Sequence, residues 1–226
     1  MKLSIKSNIK INKSMLIIVM ALIIALLALF ILSFASREQP RENLVVWQPV
    51  TKPGDMTQQG PSEYSTNASG ATLARSNESV ILGGAGGSVK DGPQYSYYSR
   101  GWTAGGQWWQ LSELSTRGYE KIEISFTIRG SNTGPKNFML EYSCDGAEWL
   151  PLTDSGSSAI TYSVDSDNKF HQHGPYSLAD TVNDLDRLYI RFLNTDAESI
   201  AGGPVKSTGT NYIADIIITG ALLAAK

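Results

Sequence analysis

The sequence predicts an all-β fold, a jelly-roll β-sandwich preceded by one N-terminal apolar helix, and three observations carry that prediction. The first is alternation. Between Tyr119 and Arg129, the residues Ile122, Ile124, Phe126 and Ile128 interleave with Glu123, Ser125, Thr127 and Arg129, the period of two that turns one strand face to a core and the other to water. The same period returns in Phe138, Leu140 and Tyr142 after the turn at Ser131 to Lys136, so the stretch from Tyr119 to Trp149 reads as two strands hairpinned on each other. The second observation is spacing: short strand patterns follow one another with Gly or Pro between most of them, and no helical period competes. The third is the run from Met15 to Leu32, eighteen apolar residues without a charge, a polar group, Gly or Pro.

That run predicts a membrane segment over residues 15–36, because at about 1.5 Å per residue it reaches about 30 Å, the hydrocarbon thickness of a bilayer. Lys2, Lys6, Lys10 and Lys13 precede it without an acid, which keeps residues 1–14 cytoplasmic and sends the rest outward. Ser33 and Ala35 stand where a signal peptidase would cut, so secretion after cleavage is the alternative to a retained single-pass anchor. Residues 37–43 then form a short polar linker, and 44–226 an extracytoplasmic sandwich domain.

Outside those four lysines the chain carries fifteen basic residues against twenty-one acids. It has no basic cluster to displace counterions from phosphates, which sets nucleic-acid binding aside. Cys144 is the one cysteine, so no intrachain disulfide forms and burial has to supply stability, as it can in a chain of this length.

In chain order, strands are expected at Leu44 to Trp47, Ser79 to Leu82, Tyr95 to Arg100, Gln107 to Leu111, Tyr119 to Arg129, Asn137 to Ser143, Trp149 to Leu152, Ile160 to Val164, Leu188 to Asn194 and Tyr212 to Thr219. The Pro-, Gly- and Ser-rich stretch after Trp47 reads as a long surface loop. A single helical turn is expected near Asp180 to Asp186. The glycine-rich segment from Gly83 to Pro93 lacks the Lys-Ser/Thr of a phosphate-binding loop.

Tyr142-Ser143-Cys144-Asp145-Gly146, closing with Trp149, resembles the YS-x-DG-x-x-W hairpin of galactose-binding-like sandwiches, which include discoidin-type domains and many carbohydrate-binding modules. Asp145-Gly146 would supply the positive φ angles of a tight turn, and Trp149 would fold back onto the sheet. A longer stretch, with Gly101-Trp102, Trp108-Trp109-Gln110, Ser131 to Lys136 and Ile213 to Ile216, is similar to modules of bacterial surface and secreted proteins. The resemblance implies a bacterial, non-catalytic module. It also exposes a departure: such modules commonly carry two adjacent acids in the final strand, and here the first position is Ala214.

The candidate ligand-binding residues are Tyr98, Arg100, Trp102, Trp108, Trp109 and Gln110. A sugar ring stacks its apolar C–H face on Trp or Tyr and gives its hydroxyls to planar polar partners. Adjacent Trp108 and Trp109 on one strand must face opposite ways, so one of them belongs to the core. Asp165, Asp167 and Asn168 offer hard oxygen ligands for a structural calcium, and no other cofactor is indicated. His171 and His173 fall in a segment that reads as a solvated loop, and Arg191 as an outer-face partner of an acid. No nucleophile, base and orienting group assemble, and Glu113, Glu141 and Asp215 are too scattered to define a carboxylate pair. The expected function is a membrane-tethered or secreted binding module for carbohydrate at the cell surface. A protein-interaction or structural domain, with a cell-surface protein as partner, and an exported glycan-active enzyme are the alternatives.

Overall fold

The computed structural model describes residues 13–35, 39–49, 53–55, 57–65, 68–76, 81–85, 93, 95–103 and 105–224. The chain divides into two compact units, Met1–Gln39 and Pro40–Lys226. In the first, α1 (Lys13–Ala35) is a continuous helix whose residues Leu16 to Leu27 expose large apolar side chains. Side chains of α1 are described only over 16–28. Among the described residues, no helix is long and apolar enough to cross a membrane. Most of the segment expected at 1–14, and position 36 of the span expected at 15–36, lie outside the described residues; of the linker expected at 37–43, residues 39–43 are described, and Arg41 to Asn43 already belong to the first strand of the sandwich, β1 (Arg41–Trp47).

Among the described residues of the second unit, the regular elements are β-strands apart from short 3-10 turns. Sheet 1 contains β1 (Arg41–Trp47), β3 (Glu63–Tyr64), β5 (Leu82–Ala85), β6 (Tyr95–Ser99), β8 (Tyr119–Gly130), β12 (His171–Ser177) and β14 (Asn211–Leu222). Sheet 2 contains β2 (Gln58–Gln59), β4 (Thr72–Arg75), β7 (Trp108–Leu114), β9 (Asn137–Ser143), β10 (Leu150–Pro151), β11 (Thr161–Ser163) and β13 (Leu188–Asn194). Every pairing is antiparallel. Sheet 1 is centred on β14, which pairs β8 along one edge and shares the other between β6 and β1. Sheet 2 runs β2-β4-β7-β13-β9, and β10 and β11 both close the far edge of β9.

The alternation in β8 does what it predicts: Ile122, Ile124, Phe126 and Ile128 are all buried, and the residues between them are not. Burying each such side chain contributes about 1.5–3 kcal/mol, so this one strand anchors sheet 1 to the core. The expected hairpin is corrected, however. β8 pairs β12 and β14 while β9 pairs β13, β10 and β11, so the turn at Ser131 to Lys136 carries the chain from one sheet to the other. The apolar faces of the two strands meet across the sandwich instead of sharing hydrogen bonds. Phe126 of β8 meets Phe192 of β13 edge-on at 4.9 Å, and the Trp109 indole N–H of β7 donates to Asn211 Oδ1 of β14 at 2.8 Å. Both contacts join the sheets through one interior.

The segment expected to be loop at His171 and His173 is strand β12, and the helical turn shortens to a 3-10 turn at Asp180–Val182. The surface-loop stretch contributes two-residue strands β2 and β3. Half of the strand expected at Ser79 to Leu82, and most of the glycine-rich segment after it, lie outside the described residues.

Candidate functional site

The YS-x-DG-x-x-W segment builds one margin of the site. Ser143 Oγ accepts from the Gly146 backbone N–H at 2.9 Å, and Asp145 Oδ1 accepts from the N–H groups of Ala147 and Glu148 at 2.8 and 3.0 Å. Those bonds hold the Asp145 carboxyl below the usual range. Gly146 takes φ 78°, and Asp145 does not share the positive φ expected for it. The turn starts β10 directly after Trp149, whose ring then lies 3.5 Å from the Arg191 guanidinium carbon on β13.

Arg191 is the centre of the outward face of sheet 2. Leu188, Ile190 and Phe192 point inward and are buried, so period two turns Arg191 out. Its guanidinium carbon is also 4.5 Å from the centre of the Trp108 ring, so the cation sits against two half-buried indoles. Arg191 Nε donates to Gln110 Oε1 at 2.9 Å, and Gln110 Nε2 donates to Ser112 Oγ at 2.7 Å. Register places Gln58, Ala74, Gln110, Arg191, Glu141 and Pro151 in one row across the sheet. Burial pushes the Glu141 carboxyl up, with Arg191 opposing, and pulls the Arg191 guanidinium down, with Glu141 opposing.

Two open grooves lie on this sheet. One, of about 330 Å³, runs between Gln58, Ala74, Arg75, Trp108, Gln110 and Ser112. The other, of about 430 Å³, lies along Asn137, Thr161, Ser163 and Thr195. Arg75 is itself buried, with its guanidinium carbon 3.4 Å from the Trp102 ring centre and Nη1 donating to Trp108 O at 3.0 Å and to Ser76 Oγ. Its Nε and Nη2 have no partner among the described residues, and burial lowers its pKa to about 9.

The six expected ligand residues therefore separate into three places. Trp102 and Trp109 are 0% exposed and belong to the core, where the Trp102 N–H donates to Ser99 O at 3.1 Å and Trp109 bonds Asn211. Their place in the expected site is corrected: a ring with no exposed surface stacks on no sugar. Trp108 and Gln110 stand on the outer face of sheet 2. Tyr98 stands on sheet 1, where it stacks on Tyr212 at 5.0 Å, and Arg100 follows the end of β6. The sequence reading missed Trp149, Glu141 and Arg191 as one group, although the hairpin motif and the alternation in β13 and β9 carry the signal.

Of the three residues expected to offer oxygen ligands for calcium, Asp165 and Asp167 both turn to His171, and Asn168 takes φ 56° in the turn between them and β12. The two aspartates approach opposite nitrogens of the His171 ring, at 3.4 and 2.9 Å, and Asp167 Oδ1 also accepts from the Lys169 N–H. Among the described residues no three His, Cys, Asp or Glu groups gather as a metal site would require. Of the scattered acids, Glu113 accepts from the Tyr189 hydroxyl at 2.8 Å, and Asp215 belongs to the opposite sheet from Glu141.

No protein-family profile matches this chain, and no curated protein does. Solved structures do. A xylan-binding domain from Paenibacillus barcinonensis is 14% identical over 83% of this chain and 99% of its own, with a TM-score of 0.36. The N-terminal cellulose-binding domain of a Cellulomonas fimi β-1,4-glucanase is 11% identical over 65% and 91%, with a TM-score of 0.37. The cleaved adhesin domain of Lys-gingipain is 12% identical over 75% and 100%, with a TM-score of 0.39. Carbohydrate-binding modules recur among these matches, the class that the hairpin resembles; at such scores they say nothing of this chain's ligand or site.

Proposed function

We propose that residues 40–226 form a non-catalytic module that binds carbohydrate on the outer face of sheet 2, held at the cell surface by α1. The observation that carries this reading is the pair of half-buried indoles, Trp108 and Trp149, set against Arg191 in a row of amide, guanidinium and carboxylate groups. A pyranose offers both kinds of surface at once: C–H groups for an indole face and hydroxyls for planar donors and acceptors. The grooves beside the row are open rather than enclosed by the fold, which suits a chain lying across strands. Tethering rests on the apolar run in the sequence and on the exposed apolar side chains of α1.

The test is a glycan array probed with the full-length chain in a non-glycosidic detergent, with calcium and with chelator. Saturable binding to one glycan class, weakened at least about tenfold by Trp149→Ala and by Trp108→Ala, supports the reading. Absence of binding by the folded chain shifts the assignment to a protein-interaction or structural domain, and release of reducing ends shifts it to an enzyme. Membrane fractionation of cells that make the full chain, with N-terminal sequencing, separates a retained anchor from cleavage after Ala35.

A further inference from the structure

The opposite face carries a second ladder that the reading above does not use. Register aligns Arg129 of β8, Tyr212 of β14, Tyr98 of β6 and Leu82 of β5 in one row of sheet 1, and Phe170 stands just before β12 beside Arg129. The Arg129 guanidinium carbon is 4.1 Å from the centre of the Tyr212 ring and 4.8 Å from that of Phe170. Tyr212 stacks on Tyr98 at 5.0 Å, and exposed Arg100 lies 5.9 Å from the Tyr98 ring. The order along the ladder is thus ring, cation, ring, ring, cation.

Neither cation is neutralised by a described residue. Among the described residues no carboxylate lies within 4.0 Å of Arg100 or Arg129. Arg129 Nε is buried without a hydrogen-bond partner among the described residues. The acids of adjoining segments are engaged elsewhere: Asp165 and Asp167 with His171, Glu123 with Arg41, and Asp215 with Gln48 and Thr127. Elsewhere on the outward side of β8, by contrast, Glu123, Ser125 and Thr127 supply the small or acidic residues usual for a solvated strand face.

We infer that this ladder is a second binding site, for an acidic polysaccharide. Ring faces receive the apolar side of a pyranose, and the two guanidinium groups receive the carboxylates or sulfates of successive acidic units. A fork of N–H donors pairs with a carboxylate in two parallel bonds, which a neutral glycan cannot offer. An anionic membrane surface fits less well, since that kind of attraction accumulates over roughly four to eight Lys or Arg and this ladder supplies two, with Arg41 of the same sheet already paired to Glu123. The site is independent of the outer face of sheet 2, and each can fail without the other.

Isothermal titration of the full-length chain in a non-glycosidic detergent tests the assignment, with polygalacturonate as the carboxylated probe, heparin as the sulfated one and galactan as the neutral control. Polygalacturonate or heparin is expected to bind, more weakly as salt rises, while Arg129→Gln and the exposed Arg100→Gln each lower affinity by about tenfold, the loss of one charge-assisted contact. Trp149→Ala is expected to leave that affinity unchanged. The inference is overturned if neither acidic polymer binds, if both arginine variants bind as the parent does, or if Trp149→Ala removes the binding. Equal binding to phosphatidylglycerol vesicles, sensitive to the same two substitutions, also overturns it in favour of a membrane surface. Arg100→Gln guards against misfolding, because that side chain is exposed and a change there leaves the core alone.

Discussion

Trp102 and Trp109 can be set against Trp108 and Trp149. All four indoles belong to one sandwich, and two of them are sequence neighbours, yet one pair is sealed in the core and the other meets water. The difference is the side of the strand on which each ring falls. Trp109 points inward and spends its N–H on Asn211 of the facing sheet, so its whole surface is committed to holding the sheets together. Trp108 points outward, where it lines an open groove and meets the Arg191 guanidinium. A tryptophan in a β-module is therefore evidence of a binding surface only once its phase along the strand is known.

Substitution tests how far that division holds. The largest expected effect is Trp109→Ala, which should destabilise the domain by about 3–5 kcal/mol, read by urea unfolding, from the void it leaves together with an unpaired Asn211. Trp149→Ala should cost about 1 kcal/mol or less, as expected of a half-exposed side chain, while weakening glycan binding on the outer face of sheet 2 at least about tenfold. A large stability loss in Trp149→Ala, or full binding after it, would erase the contrast between the pairs.

A second comparison comes from the phenols. Burial raises Tyr97 from 10.0 to about 12 and Tyr162 well above 10.0. A folded pKa above the unfolded one stabilises fully below pH 10 and loses that stabilisation as pH climbs through about 12. Absorbance of the phenolate near 295 nm should therefore rise together with loss of the β circular-dichroism signal, and Tyr97→Phe should move that alkaline transition upward. The smallest effect expected is at Asp145. Its depressed carboxyl pKa contributes stability above the ordinary carboxylate range and loses it as pH falls through the folded value, so Asp145→Ala should flatten the acid limb of a melting-temperature profile.

Much of the sandwich was legible because alternation states which side of a strand is apolar, and β8, β9 and β13 obey it closely. Alternation does not state which strand carries the hydrogen bonds, which is why β8 and β9 read as a hairpin and stand in different sheets. Strand β12 was illegible for another reason. His171 to Ser177 has no row of aliphatic residues, and it is ordered by pairing to β8 and by His173 stacking on Phe126 at 5.3 Å. In the site, Arg191 was read as an outer-face partner of an acid; it stands opposite Glu141 in register, but among the described residues no ion pair within 4.0 Å joins them, and its near neighbours are two indoles. Its two indole neighbours come from β7 and from the turn after β9, and no local pattern announces that meeting.

The sharing of one β14 edge by β1 and β6 bears on how the chain acquires its shape. A polypeptide leaves the ribosome from its N-terminus, and every partner of β14 emerges before it. Until residues 211–222 arrive, β1, β6 and β8 lack the strand between them, and sheet 1 is a set of open edges prone to wrong pairing. Closure of the sandwich is thereby deferred to its most C-terminal strand, and a chain cut short before Asn211 would be left without the centre of one sheet.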